Sequence, residues 1–175
     1  MDFLDKTQVE VSTGELRVTK NGVLRASAIG SCVAVTLYDK TTGIGGLAHV
    51  MLPGKAPVNH EKEDVKYAVN AIHALVSSMS SLGAQRDTLI AVIAGGGNVL
   101  EREFETLCKQ NIESVESVLQ NLSISLEAEN VGGMQRRSLT FDVDMGRVLV
   151  TVGDAPPEVL WVDRSKRSDL DVKKR

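Results

Sequence analysis

Two side chains in this sequence have the types and neighbours that covalent chemistry needs. Cys32 closes a Gly30-Ser31-Cys32 tripeptide, and His49 lies in Ala48-His49-Val50-Met51-Leu52-Pro53. The thiolate, not the thiol, is the nucleophile, and an unassisted cysteine is mostly protonated at neutral pH. A neighbouring imidazole can take that proton and later return it to a departing amine. Gly30 lets the backbone come close to a substrate, and the amides around Ser31 and Cys32 are candidate oxyanion donors. The competing interpretation is structural, because free cysteines are among the most buried residue types. Spacing alone favours that interpretation; the Gly-Ser-Cys lead-in brings the two level.

The elements around the pair must then bring it together. Residues 32–38 and 44–52 are mostly apolar runs flanking a polar stretch, 39–43, and Pro53 ends the second run. This is the pattern of two strands joined as a hairpin. With the turn centred between Lys40 and Thr41, Cys32 sits directly across from His49, with Cβ atoms about 4.5–5.5 Å apart. A slip of one residue would send the two side chains to opposite faces.

The double motif around Cys32 and His49 resembles the chemoreceptor glutamine deamidase family, CheD. The similarity extends over roughly residues 18–152, with echoes at Ile93-Ala94-Gly95-Gly96-Gly97-Asn98, residues 107–111, and Val131-Gly132-Gly133 followed by Arg136-Arg137-Ser138. The resemblance implies an α+β fold of layered sheets, with mixed and antiparallel strands and two long helices packed on the outside. It implies a cysteine hydrolase that converts chemoreceptor glutamines to glutamates through a thioester, releasing ammonia and using no metal or organic cofactor. The implied partners are the cytoplasmic domain of a chemoreceptor, as substrate, and a CheC-like phosphatase.

One departure stands out. The family's catalytic set resembles Cys, His and a Thr six residues before the cysteine, and that position here is Ala26, which has no hydrogen-bonding group to orient an imidazole. Ser27 is next door but faces the other way in a regular strand; a bulge would bring it round. The third member is therefore Ser27, or is supplied from elsewhere, or is missing. The last case makes the protein a catalytically weak binding module that regulates a CheC-like phosphatase.

Composition removes several other classes. Aromatic residues are 3% of the chain, too few for a base-stacking platform, and the net charge of −3 is spread without a basic face, so nucleic acid is not expected as a partner. Cys32 and Cys108 fit no metal or CxxC spacing, and no signal peptide or membrane-length apolar run is visible. Together these predict a cytoplasmic protein that meets a membrane receptor without inserting. The loop Gly95-Gly96-Gly97-Asn98 lacks the Lys-Ser/Thr of a phosphate-binding loop and predicts close backbone approach to a substrate or to the cysteine strand. In the segment ending at Asn111 the family's Gly and Arg are replaced by Cys108 and Gln110.

The remaining elements follow from periodicity. Strands are predicted near 7–11, 15–19, 23–29, 88–94, 123–128, 138–143 and 147–152. A helix is expected over 61–82, with Asn59 as cap and Gly83 as stop, and another over 112–121, capped by Asn111. A single catalytic domain is expected over 1–153. Residues 154–175 read as a polar, partly disordered tail whose apolar patch, Val159-Leu160-Trp161-Val162, could dock on the body or on a partner.

Overall fold

The computed structural model describes residues 7–58, 64–103 and 105–167. Among these residues, ten strands and two α-helices build three layers. The strands are β1 (Gln8–Glu10), β2 (Leu16–Thr19), β3 (Val23–Ile29), β4 (Val33–Asp39), β5 (Gly45–Val50), β6 (Leu89–Gly95), β7 (Ser125–Val131), β8 (Arg137–Asp142), β9 (Arg147–Val152) and β10 (Glu158–Val162). The helices are α1 (Ala68–Ser81) and α2 (Leu107–Asn121). One sheet runs β1-β3-β8-β9-β10 and the other β2-β5-β4-β6-β7. Both are mixed, since β1 pairs with β3 and β7 with β6 in parallel while the other pairings are antiparallel.

Alternation of side chains sorts the sequence into two cores. Val33, Val35, Leu37, Ala48 and Val50 face the helices, where they meet Ile72, Leu75, Met79, Val115 and Leu119. Ala34, Leu47, Val92 and Ala94 face the other sheet and meet Ala26, Ile29, Leu139, Phe141 and Val150. Strands β4 and β6 are therefore covered on both sides, which is why they read as unbroken apolar runs rather than alternating ones. The expected α+β architecture, with helices outside layered sheets, is the one observed.

Several boundaries differ from the sequence reading. The hairpin turn is centred one residue later, between Thr41 and Thr42, so that Ala34, not Cys32, pairs with His49. The Asp39 carboxylate sets this centre by accepting from the Thr41 N–H at 2.8 Å and the Thr42 hydroxyl at 2.7 Å. The displacement moves each partner by two residues and so preserves the face. Helix α1 begins at Ala68, after Tyr67 has bridged to Leu52. The predicted cap Asn59 lies outside the described residues, as do His60 and the two chain ends. Gly83 does stop α1: at φ +105° it supports a bond from the Ala84 N–H to the Met79 carbonyl. Helix α2 starts at Leu107, not Ile112, so Asn111 is an interior residue and not a cap. Residues 158–162 form an edge strand on β9, so the fold continues beyond Gly153.

Candidate active site

Cys32 sits in a bend, held by glycines. Cys32 is half-buried just before β4 and packs with the inter-sheet core. A bulge in β3 between Ala26 and Ile29, with Ala28 at φ 52°, turns the chain into Gly30-Ser31-Cys32. On the other side, the Gly96 N–H donates to the Cys32 carbonyl at 2.7 Å and the Gly97 N–H to the Gly30 carbonyl at 2.8 Å. Gly95 is required here: it has φ +130°, and a Cβ would lie 2.2 Å from the Cys32 oxygen. The predicted close approach of this loop to the cysteine strand is what the structure contains.

His49 belongs to the same face. It pairs with Ala34, and Cys32 lies two residues before Ala34. The two side chains are thus diagonal neighbours in the space between the sheets, where diagonal Cβ atoms lie roughly 7–8 Å apart. His49 is 2% exposed. Its Nδ1 lies 3.2 Å from the Val11 carbonyl. A carbonyl only accepts, so Nδ1 carries the proton and Nε2 presents a lone pair. Nε2 is buried and has no hydrogen-bond partner among the described residues.

The segment that supplies the Val11 carbonyl is clasped over the histidine. Residues 11–15 cross from β1 in one sheet to β2 in the other. The Val11 N–H donates to Arg25 O at 2.7 Å, the Gly14 N–H to His49 O at 2.9 Å, and the His49 N–H to Glu15 O at 2.9 Å. Ala26 is fully buried in the inter-sheet core. The bulge that would redirect Ser27 is present, but it turns Ser27 to Glu10, whose carboxylate accepts from its N–H at 2.9 Å and from its hydroxyl at 3.2 Å. Sequence reasoning missed Val11, because a main-chain carbonyl leaves no signature in residue type. It also missed Thr13, whose hydroxyl pulls the pKa of the Cys32 thiol down against burial.

Electrostatically the pair rests neutral. Burial pushes the Cys32 thiol up; its own main-chain N–H and the Thr13 hydroxyl pull it partly back, and Cys108 adds a small upward push. Burial pushes His49 down, against the opposing pull of the Val11 carbonyl and Glu10. Burial therefore disfavours the charged form of each group, thiolate and imidazolium alike. Cys108 is buried in the first turn of α2 and, like Cys32, is a free thiol. It lines a groove of about 440 Å³ with Gly96, Asn98, Ile112 and Gly133.

Asn111 and Arg137 brace the surroundings. Asn111 is 0% exposed, and its Nδ2 donates to Ser31 O at 2.8 Å and to Met51 O at 3.0 Å. Arg137 is also buried, and donates to Asn130 Oδ1 at 2.7 Å and Gln135 O at 2.9 Å. Only Arg136 of that arginine pair is exposed, and it bridges to Asp154 at 2.6 Å. No cluster of metal-ligating side chains occurs among the described residues.

The family model described as "CheD chemotactic sensory transduction" matches residues 51–152. This chain belongs to the CheD family. Similar proteins include the "Probable chemoreceptor glutamine deamidase CheD" of Chlorobium luteolum, 38% identical over 150 residues, covering 85% of this chain and 75% of that one. The "Chemoreceptor glutamine deamidase CheD" of Thermotoga maritima is 36% identical over 141 residues, covering 80% of this chain and 88% of its own. The relative from Archaeoglobus fulgidus is 35% identical over 147 residues, covering 82% and 92%. A solved structure, the Bacillus licheniformis hypothetical protein YfiH, aligns at TM-score 0.42 with 16% identity over 67% of this chain and 49% of that one, a likeness too loose to bear on the chemistry. No helix among the described residues is long and apolar enough to cross a membrane.

Proposed function

We propose that this protein deamidates glutamine side chains of chemoreceptors, with Cys32 as nucleophile and His49 as general base and then acid. The observation that carries the reading is the free, buried Nε2 of a histidine fixed by Val11, on the same face as a cysteine in a glycine-held bend. The names of its relatives supply the substrate class.

In the first step the Cys32 proton moves to His49 Nε2 as sulfur adds to the carboxamide carbon. Starting from two neutral groups, this transfer creates charge only when the attack needs it. The Cys32 N–H, which in the resting site is directed at its own thiol, donates to the developing oxyanion. Collapse of the tetrahedral adduct breaks the C–N bond, and the His49 proton leaves with ammonia. Water, deprotonated by His49, then attacks the thioester; glutamate forms and the thiol is restored. The binding-module alternative drew its support from Ala26, and Val11 fills the orienting role that Ala26 cannot.

The test is a mixture of purified protein and receptor cytoplasmic fragments, followed by peptide mass mapping. Wild type is expected to produce the amide-to-acid mass increment at defined glutamines. Cys32→Ala is expected to abolish it, and His49→Ala to lower its rate by at least about 10²-fold. Equal rates for wild type and Cys32→Ala would refute the assignment.

A further inference from the structure

Three successive carbonyls precede and include the nucleophile, and each has its own donor. Gly30 O takes the Gly97 N–H, Ser31 O takes Asn111 Nδ2, and Cys32 O takes the Gly96 N–H. The outer two are held by main chain that the glycine loop supplies whatever its side chains. The middle one depends on a single side chain. That middle peptide is the one that carries the Cys32 N–H. In a planar trans peptide the C=O and N–H point in opposite directions, so fixing Ser31 O on Asn111 aims the Cys32 N–H away from α2, into the site.

Asn111 has a second tie of the same kind. Its other Nδ2 bond goes to Met51 O, two residues past His49 on the partner strand. Cys32 and Met51 are where the β4–β5 ladder would continue, but regular pairing ends at Val33 and Val50. One amide nitrogen thus closes the open end of the hairpin where the two reacting residues sit. The residue is unsuited to a purely structural post, because its Oδ1 is buried and has no partner among the described residues. Such an orphaned acceptor costs roughly 1–3 kcal/mol.

We propose that Asn111 is a positioning residue for the oxyanion hole: it orients the Cys32 N–H by gripping the carbonyl of the same peptide. The proposal rests on the cysteine-hydrolase reading of the site but not on which amide is the natural substrate. Asn111 touches no reacting atom, and its removal is expected to impair steps that build an oxyanion while sparing steps that do not.

Two small probes separate these. Acylation of Cys32 by p-nitrophenyl acetate passes through a tetrahedral oxyanion; alkylation by iodoacetamide does not. In Asn111→Ala, acylation is expected to fall at least about tenfold, while the alkylation rate and its pH profile stay within about twofold of wild type. Asn111→Asp keeps the shape but replaces the donor with an acceptor, and it is expected to lose acylation at least as severely. It serves in place of Asn111→Ala if that variant does not fold. Acylation unchanged in both variants, or acylation and alkylation falling together, would overturn the proposal. A wild type that acylates readily but leaves receptor glutamines untouched would instead count against the substrate and leave Asn111's role testable.

Discussion

At the scale of single residues, burial disfavours charge on both Cys32 and His49. His49 is pushed below the ordinary imidazole range by burial, so it stays deprotonated, and able to act as a base, to lower pH than a solvent-exposed histidine. The acid limb of the deamidation profile should therefore lie below that of an ordinary imidazole. The Cys32 thiol is pushed up, so alkylation by iodoacetamide should climb only toward alkaline pH. A high reaction rate at pH 6 would show a resting ion pair instead. Thr13→Val removes a downward pull on that thiol, and should shift the alkylation midpoint further to the alkaline side. Ala26→Thr restores the residue type expected from the family, but it inserts a hydroxyl into a fully packed position. It should cost roughly 1–3 kcal/mol in denaturant unfolding and leave the deamidation rate no higher, since Val11 already holds Nδ1. The proposed nucleophile and base, Cys32 and His49, are the residues that type and motif single out. Their orienting partner is not, because a side chain was sought where a carbonyl serves.

At the scale of elements, the register of one hairpin decides whether the pair can meet, and Asp39 controls that register. Its carboxylate is buried and accepts from the Thr41 N–H, the Thr42 hydroxyl, the Gln85 N–H at 2.7 Å and the Thr88 hydroxyl at 2.6 Å. It thereby ties the β4–β5 turn to the lead into β6. Burial alone would raise this carboxyl, but the four donors hold it down at about 2. A depressed folded-state pKa contributes stability that is fully present above the unfolded value of about 4 and is lost as pH falls through about 2. Asp39→Ala strips these donors, and the Thr42 N–H at 3.4 Å, of their acceptor and should cost about 2–4 kcal/mol at pH 7. That cost should shrink toward pH 2 in urea titrations across the range. The hairpin itself was legible from its two apolar runs. Its centre was misplaced by one residue because residues 39–43 offer several turn-forming positions, and only the Asp39 contacts choose among them. The start of α2 was misread for a related reason: Asn111 looks like a cap in sequence, but its amide is spent on Ser31 and Met51.

At the scale of the whole molecule, the site lies where two sheets approach and a crossing segment, residues 11–15, closes over them. The layer order was legible because continuous apolar strands need cover on both faces, and the helical stripes supplied one cover. The far edge was not, because residues after Gly153 are polar around one apolar patch. There Trp161 packs edge-on against Tyr38 with ring centroids 5.8 Å apart, and its Nε1–H donates to Glu127 at 2.7 Å. It thus connects β10 of one sheet to β7 of the other. Trp161→Ala should cost about 3 kcal/mol, lowering the thermal midpoint by roughly 6–12 °C, while Cys32 alkylation at 25 °C stays unchanged. In the proposed mechanism the sulfur of Cys32 carries the glutamyl group between ammonia release and hydrolysis. Rapid acid quench of a receptor fragment reaction, followed by intact mass analysis, measures this directly. The predicted result is a receptor adduct on Cys32 that hydroxylamine releases. Deamidation that proceeds at the wild-type rate in Cys32→Ala, with no such adduct in the native protein, would contradict it.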